Sequence, residues 1–283
     1  RIEKLDNLVG KVKTENMPNH QKLLDSLSNE QKKLLRKQLK VMKEYKRILA
    51  EGEMENIITT CCPSMNDLIE KYYPSLTKYM IPVVSPMIAH GRIIKNIHGL
   101  DTKVVFLGPC IAKKSEVVDQ KIENNVDYVL TFSEIRAIMK AKDVQLEPDN
   151  TEYQEASTFG KRFGNSGGVT AAVLQSLKES EDEIDAKVCI ANGAAECKKA
   201  LLLLKAARLP EDFIEGMACE GGCVGGPSAF NDQFSSKKNR DTLIAQADER
   251  GIHENLEHYD MDSFSMHREA YVASLIFLSG LKV

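Results

Sequence analysis

The chain has 283 residues and 31.6 kDa, 42% hydrophobic and 28% charged, a balance typical of soluble globular proteins with room for one large or two small domains. These figures exclude a disordered chain, a collagen and a disulfide-stapled mini-protein, and no apolar run is long enough to cross a bilayer. A net charge of −3 leaves no electrostatic footprint for nucleic acid. The charge is uneven, however: residues 1–50 carry 13 Lys/Arg against 6 Asp/Glu, and the remainder 25 against 35. That basic stretch reads as a solvated helix face in preference to a docking surface. Arg1-Ile2-Glu3-Lys4 is not a signal peptide, and a start on Arg suggests a portion of something longer.

Ser28-Asn29-Glu30-Gln31 has the form of a capping box, with a helix expected to about Leu49. Met17-Pro18-Asn19 marks a break before it, and Gly52 ends the helical region. From there short apolar runs alternate with amphipathic segments, the pattern of an α/β fold. Strands are expected at Ile57-Ile58-Thr59-Thr60, Val104 to Leu107, Tyr128 to Leu130, Val188 to Ile190 and Phe213-Ile214. Helices are expected over 64–72, 134–141, 169–179, 196–206 and 264–278, the second opened by Thr131-x-x-Glu134. Pro148-Asp149-Asn150 is the candidate boundary between two halves. The expected layout is a basic helical segment (1–52) and two α/β lobes (53–148 and 149–283), with mixed or parallel sheets flanked by helices and a metal site between the lobes.

Seven cysteines are the informative count. Cys61-Cys62-Pro63, Gly108-Pro109-Cys110 and Cys219-x-x-x-Cys223 each follow a strand candidate, and the carboxyl ends of strands are where ligands collect in open α/β folds. Thiolates converging from three segments suit an iron–sulfur cluster, and four of them complete a cubane. The spacing matches neither paired zinc knuckles nor a compact ferredoxin run. Cys189 reads as a small buried hydrophobe; Cys197 is open to either reading.

At this point a resemblance enters. Thr60-Cys61-Cys62-Pro63, Gly108-Pro109-Cys110-Ile111-Ala112-Lys113-Lys114-Ser115-Glu116 and Met217-Ala218-Cys219-Glu220-Gly221-Gly222-Cys223 resemble the three signatures of the [FeFe]-hydrogenase catalytic domain, in the family's order. The resemblance implies an H-cluster, a [4Fe–4S] cubane joined through cysteine sulfur to a diiron unit carrying CO, cyanide and azadithiolate. It implies Cys62, Cys110, Cys219 and Cys223 as cubane ligands, with Cys223 bridging. It further implies Cys61 as proton relay, Lys113 as the cation holding a cyanide, and Phe163, Gly164 and Met217 as walls of the diiron pocket. Without it, Lys113 beside Lys114 and Glu116 would read as an ordinary surface lysine. The implied reaction is H₂ = 2 H⁺ + 2 e⁻, with an iron–sulfur domain or ferredoxin as electron partner and maturation proteins supplying the diiron unit. Neither nucleic acid nor membrane is implied as a partner, and a cytoplasmic, anaerobic setting is expected.

Departures from the family pattern point to a slow, hydrogen-sensing branch. Gly108 stands for the usual Met, Met87 for a Gln, Met65 for a Trp, and Ile81 for a Ser on the proton path. Gly108 is expected to open space beside the diiron unit, and Glu44 is a poorly aligned candidate for a path carboxylate. The competing reading is a non-catalytic [4Fe–4S] scaffold or assembly protein without the diiron unit. A nucleotide-binding loop at Gly164-Asn165-Ser166-Gly167-Gly168 is disfavoured against close helix–strand packing, because no Gly-Lys-Ser/Thr follows.

Overall fold

The computed structural model describes residues 56–119, 122, 125–145, 157–179, 186–247, 250–256 and 266–268. Two parallel sheets organise them. In the larger, β5 (Phe213–Met217) lies between β1 (Ile57–Ile58) and β4 (Val188–Asn192), with Ile57 opposite Phe213 and Val188 opposite the same residue. In the smaller, β2 (Val105–Gly108) pairs with β3 (Tyr128–Thr131), Val105 opposite Tyr128. The expected α/β class with parallel sheets and flanking helices is therefore present. The basic segment, the breaks at Pro18 and Gly52, Glu44 and Pro148-Asp149-Asn150 lie outside the described residues.

Successive side chains on a strand point to opposite faces, so a strand apolar at every position must be covered on both. Ile57, Ile58, Phe213 and Ile214 meet that condition, each buried to 2% exposure or less. Ile58 and Ile214 pack with Met65 and Ile69 of α1 (Pro63–Tyr72) and with Leu201 and Leu204 of α7 (Ala194–Lys205). Ile57 and Phe213 face the other way, onto Val169, Val173 and Leu177 of α6 (Gly168–Glu179). A third cluster joins Met87 and Ile88 of α2 (Pro86–His98) to Val129 of β3 and to Met266.

Between these lie α3 (Lys113–Glu116), α4 (Phe132–Ala141) and α5 (Thr158–Arg162), and after them α8 (Gln233–Ala245) and α9 (Ile252–Leu256). The capping box of α4 is present: Glu134 N–H donates to Thr131 Oγ1 at 3.3 Å and Thr131 N–H to Glu134 Oε2 at 2.8 Å. Of the helix expected over 264–278 only 266–268 are described, and these three residues are not helical. Val84 N–H donates to the Met266 carbonyl and Arg268 N–H to that of Pro82, so the 266–268 segment runs extended beside Pro82–Val84. Arg268 is 5% exposed and donates to Asp119 Oδ2 at 2.7 Å and Glu70 Oε1 at 3.2 Å, ion pairs that a helical start would break. Among the described residues five α-helices escape the periodicity reading, the long α2 and α8 and the short α3, α5 and α9.

Candidate metal centre

Each of the three cysteine motifs sits where a parallel strand ends. β1 runs through Thr59 and Thr60 into Cys61, and Cys62 occupies the N-cap of α1, whose first turn is preset by Pro63. Asn66 donates from Nδ2 to the Thr60 carbonyl at 3.0 Å and Thr60 Oγ1 donates to the Val83 carbonyl at 2.5 Å, which fixes the turn. β2 delivers Pro109-Cys110, and β5 delivers Cys219 and Cys223.

The Cys219–Cys223 loop needs its glycines. Gly221 and Gly222 have φ of +78° and +86°, a region that side chains with a Cβ avoid. A Cβ on Gly222 would also stand 2.6 Å from the Ser166 amide nitrogen, and one on Gly225 would stand 2.1 Å from the Glu220 carbonyl oxygen. Beside this loop, Asn165 Oδ1 and Ser166 Oγ are buried with no hydrogen-bond partner.

Cys62, Cys110, Cys219 and Cys223 converge: in all six pairings the charge of one thiolate raises the pKa of another. Desolvation is the largest influence on Cys110, Cys219 and Cys223, pushing Cys223 up to about 11. Amides of Lys113 and Ala112 at Cys110, and the Lys113 ammonium at Cys110 and Cys223, pull the other way. Among the described residues no three His, Cys, Asp or Glu side chains could hold a single metal ion. A cubane is larger and takes one thiolate at each iron corner. Four mutually coupled thiols, a glycine-walled loop and two buried polar atoms without partners fit such a cluster, whose cationic irons would favour the thiolate forms.

Lys113 is not a surface residue. It is 6% exposed, and its Nζ donates to Glu116 Oε2 at 2.6 Å, to Ser85 Oγ at 2.8 Å and to the Cys61 carbonyl at 3.5 Å. The Cys61 thiol, 3.6 Å from Thr59 Oγ1, is pushed up by desolvation and then by the charge of Glu215. Met217 is buried with Ile57, Ile81 and Val83, and Phe163 packs against the same cluster. Gly164 follows directly, its carbonyl 3.4 Å from the Val224 amide nitrogen.

Gly108 does not open a space, because the Phe106 ring stands 2.6 Å from where its Cβ would be. Met65 packs on Gly216, Met87 lies in the third core cluster, and Ile81 is fully buried. Cys197 is also fully buried on α7, donating toward the Ala191 carbonyl at 3.6 Å, with its thiol pushed up to about 12 by desolvation. It belongs to the core. The amides of Gly167 and Thr170 donate to Glu215 at 2.9 and 2.7 Å, so a carboxylate of the chain itself takes the place a phosphate would need.

Four residues of the site were not anticipated as site residues. Ser85 and Glu116 had sequence signals, the Ser-Pro pair and the i,i+3 spacing from Lys113. Glu215 had one too, as an acid inside an apolar strand. Arg240 on α8 had none. The first three hold the cation or the adjacent loop in place, and Arg240 reaches Gly164.

This architecture defines an iron–sulfur type of centre on an α/β scaffold. Residues 35–227 match the family described as iron only hydrogenase large subunit, C-terminal domain, and the chain belongs to that family. It is similar to iron hydrogenase 1 of Clostridium pasteurianum, 31% identical over 257 residues, covering 70% of this chain and 44% of that protein. It is also similar to the periplasmic [Fe] hydrogenase large subunit of Nitratidesulfovibrio vulgaris, 30% identical over 210 residues, covering 59% and 50%. A cytosolic Fe-S cluster assembly factor, NAR1 of Kluyveromyces lactis, is 23% identical over 260 residues, covering 67% and 55%. The chain thus spans about half the length of the curated relatives it matches. Among solved structures, a variant of [FeFe]-hydrogenase HydA1 from Chlamydomonas reinhardtii shares the fold, with a TM-score of 0.57, 21% identity, and coverage of 81% of this chain and 75% of that one.

Proposed function

We propose that this chain is an H-cluster domain that catalyses or senses H₂ = 2 H⁺ + 2 e⁻ at low turnover. Cys62, Cys110, Cys219 and Cys223 would hold the [4Fe–4S] cubane, with Cys223 bridging to the diiron unit. When bound, the diiron unit with its CO, cyanide and azadithiolate ligands supplies the redox chemistry of hydrogen. The observation that carries the reading is Lys113, a buried ammonium held by Glu116 and Ser85 within reach of the Cys61 backbone. Cys61 is not among the proposed cubane ligands, so a cation held toward it answers to the diiron unit in preference to the cubane.

The other residues have roles that follow from their surroundings. Lys113 presents a point charge suited to a cyanide. Desolvation, and then the charge of Glu215, disfavour the Cys61 thiolate, which suits Sγ to hold a proton beside the pocket. Ile81, Met217 and Phe163 pack in one apolar cluster with Cys61 and Cys62, with Gly164 next in the chain, and would exclude water from the site. Ile81 has no proton to pass, which supports slow exchange with solvent and a sensory role. Electrons would come from an iron–sulfur domain or ferredoxin, and maturation proteins would install the diiron unit. No helix among the described residues is long and apolar enough to cross a membrane, and a cytoplasmic, anaerobic setting belongs to the proposal. The same holds for the division into 1–52, 53–148 and 149–283.

A second reading is a [4Fe–4S] assembly or scaffold protein, favoured by the similarity to NAR1. An infrared spectrum of protein made anaerobically with the maturation machinery separates the two. Bands of iron-bound CO and cyanide that shift under H₂ are expected. Four irons per chain without those bands would transfer the assignment to the scaffold reading.

A further inference from the structure

α8 packs against both the Cys223–Gly225 turn and α5, and one of its cationic side chains has no carboxylate partner among the described residues. Arg240 is half-buried, and its Nη2 and Cζ stand 3.0 and 3.5 Å from where a Cβ on Gly164 would be. Its Nε is buried with no hydrogen-bond partner. Among the described residues it makes no ion pair, and the thiolate of Cys223 is the charge that acts on it. The neighbouring cation is different: Lys113 has its charge matched by Glu116 at 2.6 Å. Burying part of a guanidinium without a carboxylate is costly, so its place on this helix calls for an anion that no carboxylate among the described residues provides.

The anion is set by the site. Four thiolates around a cubane leave the assembly negative overall, and adding an electron makes it more so. Net charge and hydrogen bonds to sulfur are among the levers that set the potential of such clusters. We propose that Arg240 is a positioning residue that supplies uncompensated positive charge beside Cys223 and stabilises the reduced, more negative form of the cluster. The inference rests on the reading of Cys223 as a cluster ligand. It needs only the cubane and is independent of whether the diiron unit is installed.

The test uses the full chain, purified anaerobically with its four-iron cluster, titrated with dithionite and redox mediators while the reduced cluster is followed by electron paramagnetic resonance. R240Q and R240M are expected to move the midpoint to more negative potential, and R240K, which keeps the charge, to stay close to the unaltered protein. Unchanged potentials in R240Q and R240M, at full iron content, overturn the role of Arg240 and leave the cluster reading intact. Loss of iron from both neutral variants with retention in R240K supports it, since charge is what R240K preserves. Loss of iron from all three overturns it, because shape rather than charge would then be what the site needs. An unaltered chain that binds no four-iron cluster overturns both this inference and the reading it rests on.

Discussion

The ammonium of Lys113 and the carboxylate of Glu116 meet at 2.6 Å with side-chain exposures of 8% and 2%, three residues apart on one short turn. Geometry this close, with Ser85 as a further partner, is what keeps a buried charge from being a liability. The pair fixes the cation toward Cys61 instead of letting it extend to water.

Removing one member of that pair should therefore be worse than removing a surface charge. Glu116→Ala leaves Lys113 buried without its counter-ion, and a loss of about 3–5 kcal/mol is expected. Urea unfolding of the apo protein checks it. A loss below about 1 kcal/mol, the range of exposed pairs, would mean that Lys113 can leave its place freely.

Glu215 is the second buried charge to be tested. It is fully buried and accepts from Gly167 N–H, Thr170 N–H and Thr170 Oγ1–H at 2.9, 2.7 and 2.7 Å, a carboxylate at the N-terminus of α6, where helix partial charge favours it. Glu215→Ala should cost about 2–4 kcal/mol by stranding those donors, while Glu215→Gln, which keeps an acceptor, should cost less. Hydrogen exchange at the Gly167 and Thr170 amides should accelerate most in the alanine variant.

The glycine loop makes a prediction about iron rather than stability. Gly222→Ala places a Cβ 2.6 Å from the Ser166 nitrogen at a φ of +86°, so the loop must move. Iron bound after anaerobic reconstitution should fall well below that of the unaltered chain. Gly99→Ala is the control: φ there is +96°, but nothing lies within 4 Å of the added Cβ, and its iron content should not change.

An acid-sensitive contribution comes from Glu134. Its hydrogen bond from Lys114, followed by those from Thr131, lowers its pKa from the ordinary 4.5 to about 2. The stabilisation is complete above pH 4.5 and is lost as pH falls toward about 2. The group is largely solvated, so the effect is expected at about 1 kcal/mol or less. Glu134→Gln should lower stability at neutral pH by about that amount and flatten the acid limb in that window, the two proteins converging as pH approaches about 2.

The strands were legible because their apolar runs need cover on both faces: Ile57 and Ile58 announce a buried strand with few neighbours to consult. α2 was not, and its buried cations are the reason. Arg92 and Lys95 lie on its inner face, Arg92 donating to the His267 carbonyl and Lys95 pairing with Asp127 at 2.9 Å, so the apolar stripe is interrupted by charge. α8 buries Ile244 and leaves its other large apolar residues, Phe234 and Leu243, exposed, so it has no apolar stripe to read. The site was legible as cysteines and glycines, whose chemistry is local. Its long-range parts were not, since no spacing rule joins Glu215 to Gly167, or Arg240 to a loop seventeen residues upstream.

The strand order has one more implication, for how iron is held. β1 and β5 are bonded neighbours, so on the proposed ligand set Cys62, Cys219 and Cys223 are presented by a single sheet, a three-toothed receptor already assembled in the empty protein. Cys110 arrives on the strand of the other sheet. Three of the proposed ligands would thus hold a cluster from one sheet and Cys110 from the other, tying together, like a rivet, two plates that share no strand among the described residues.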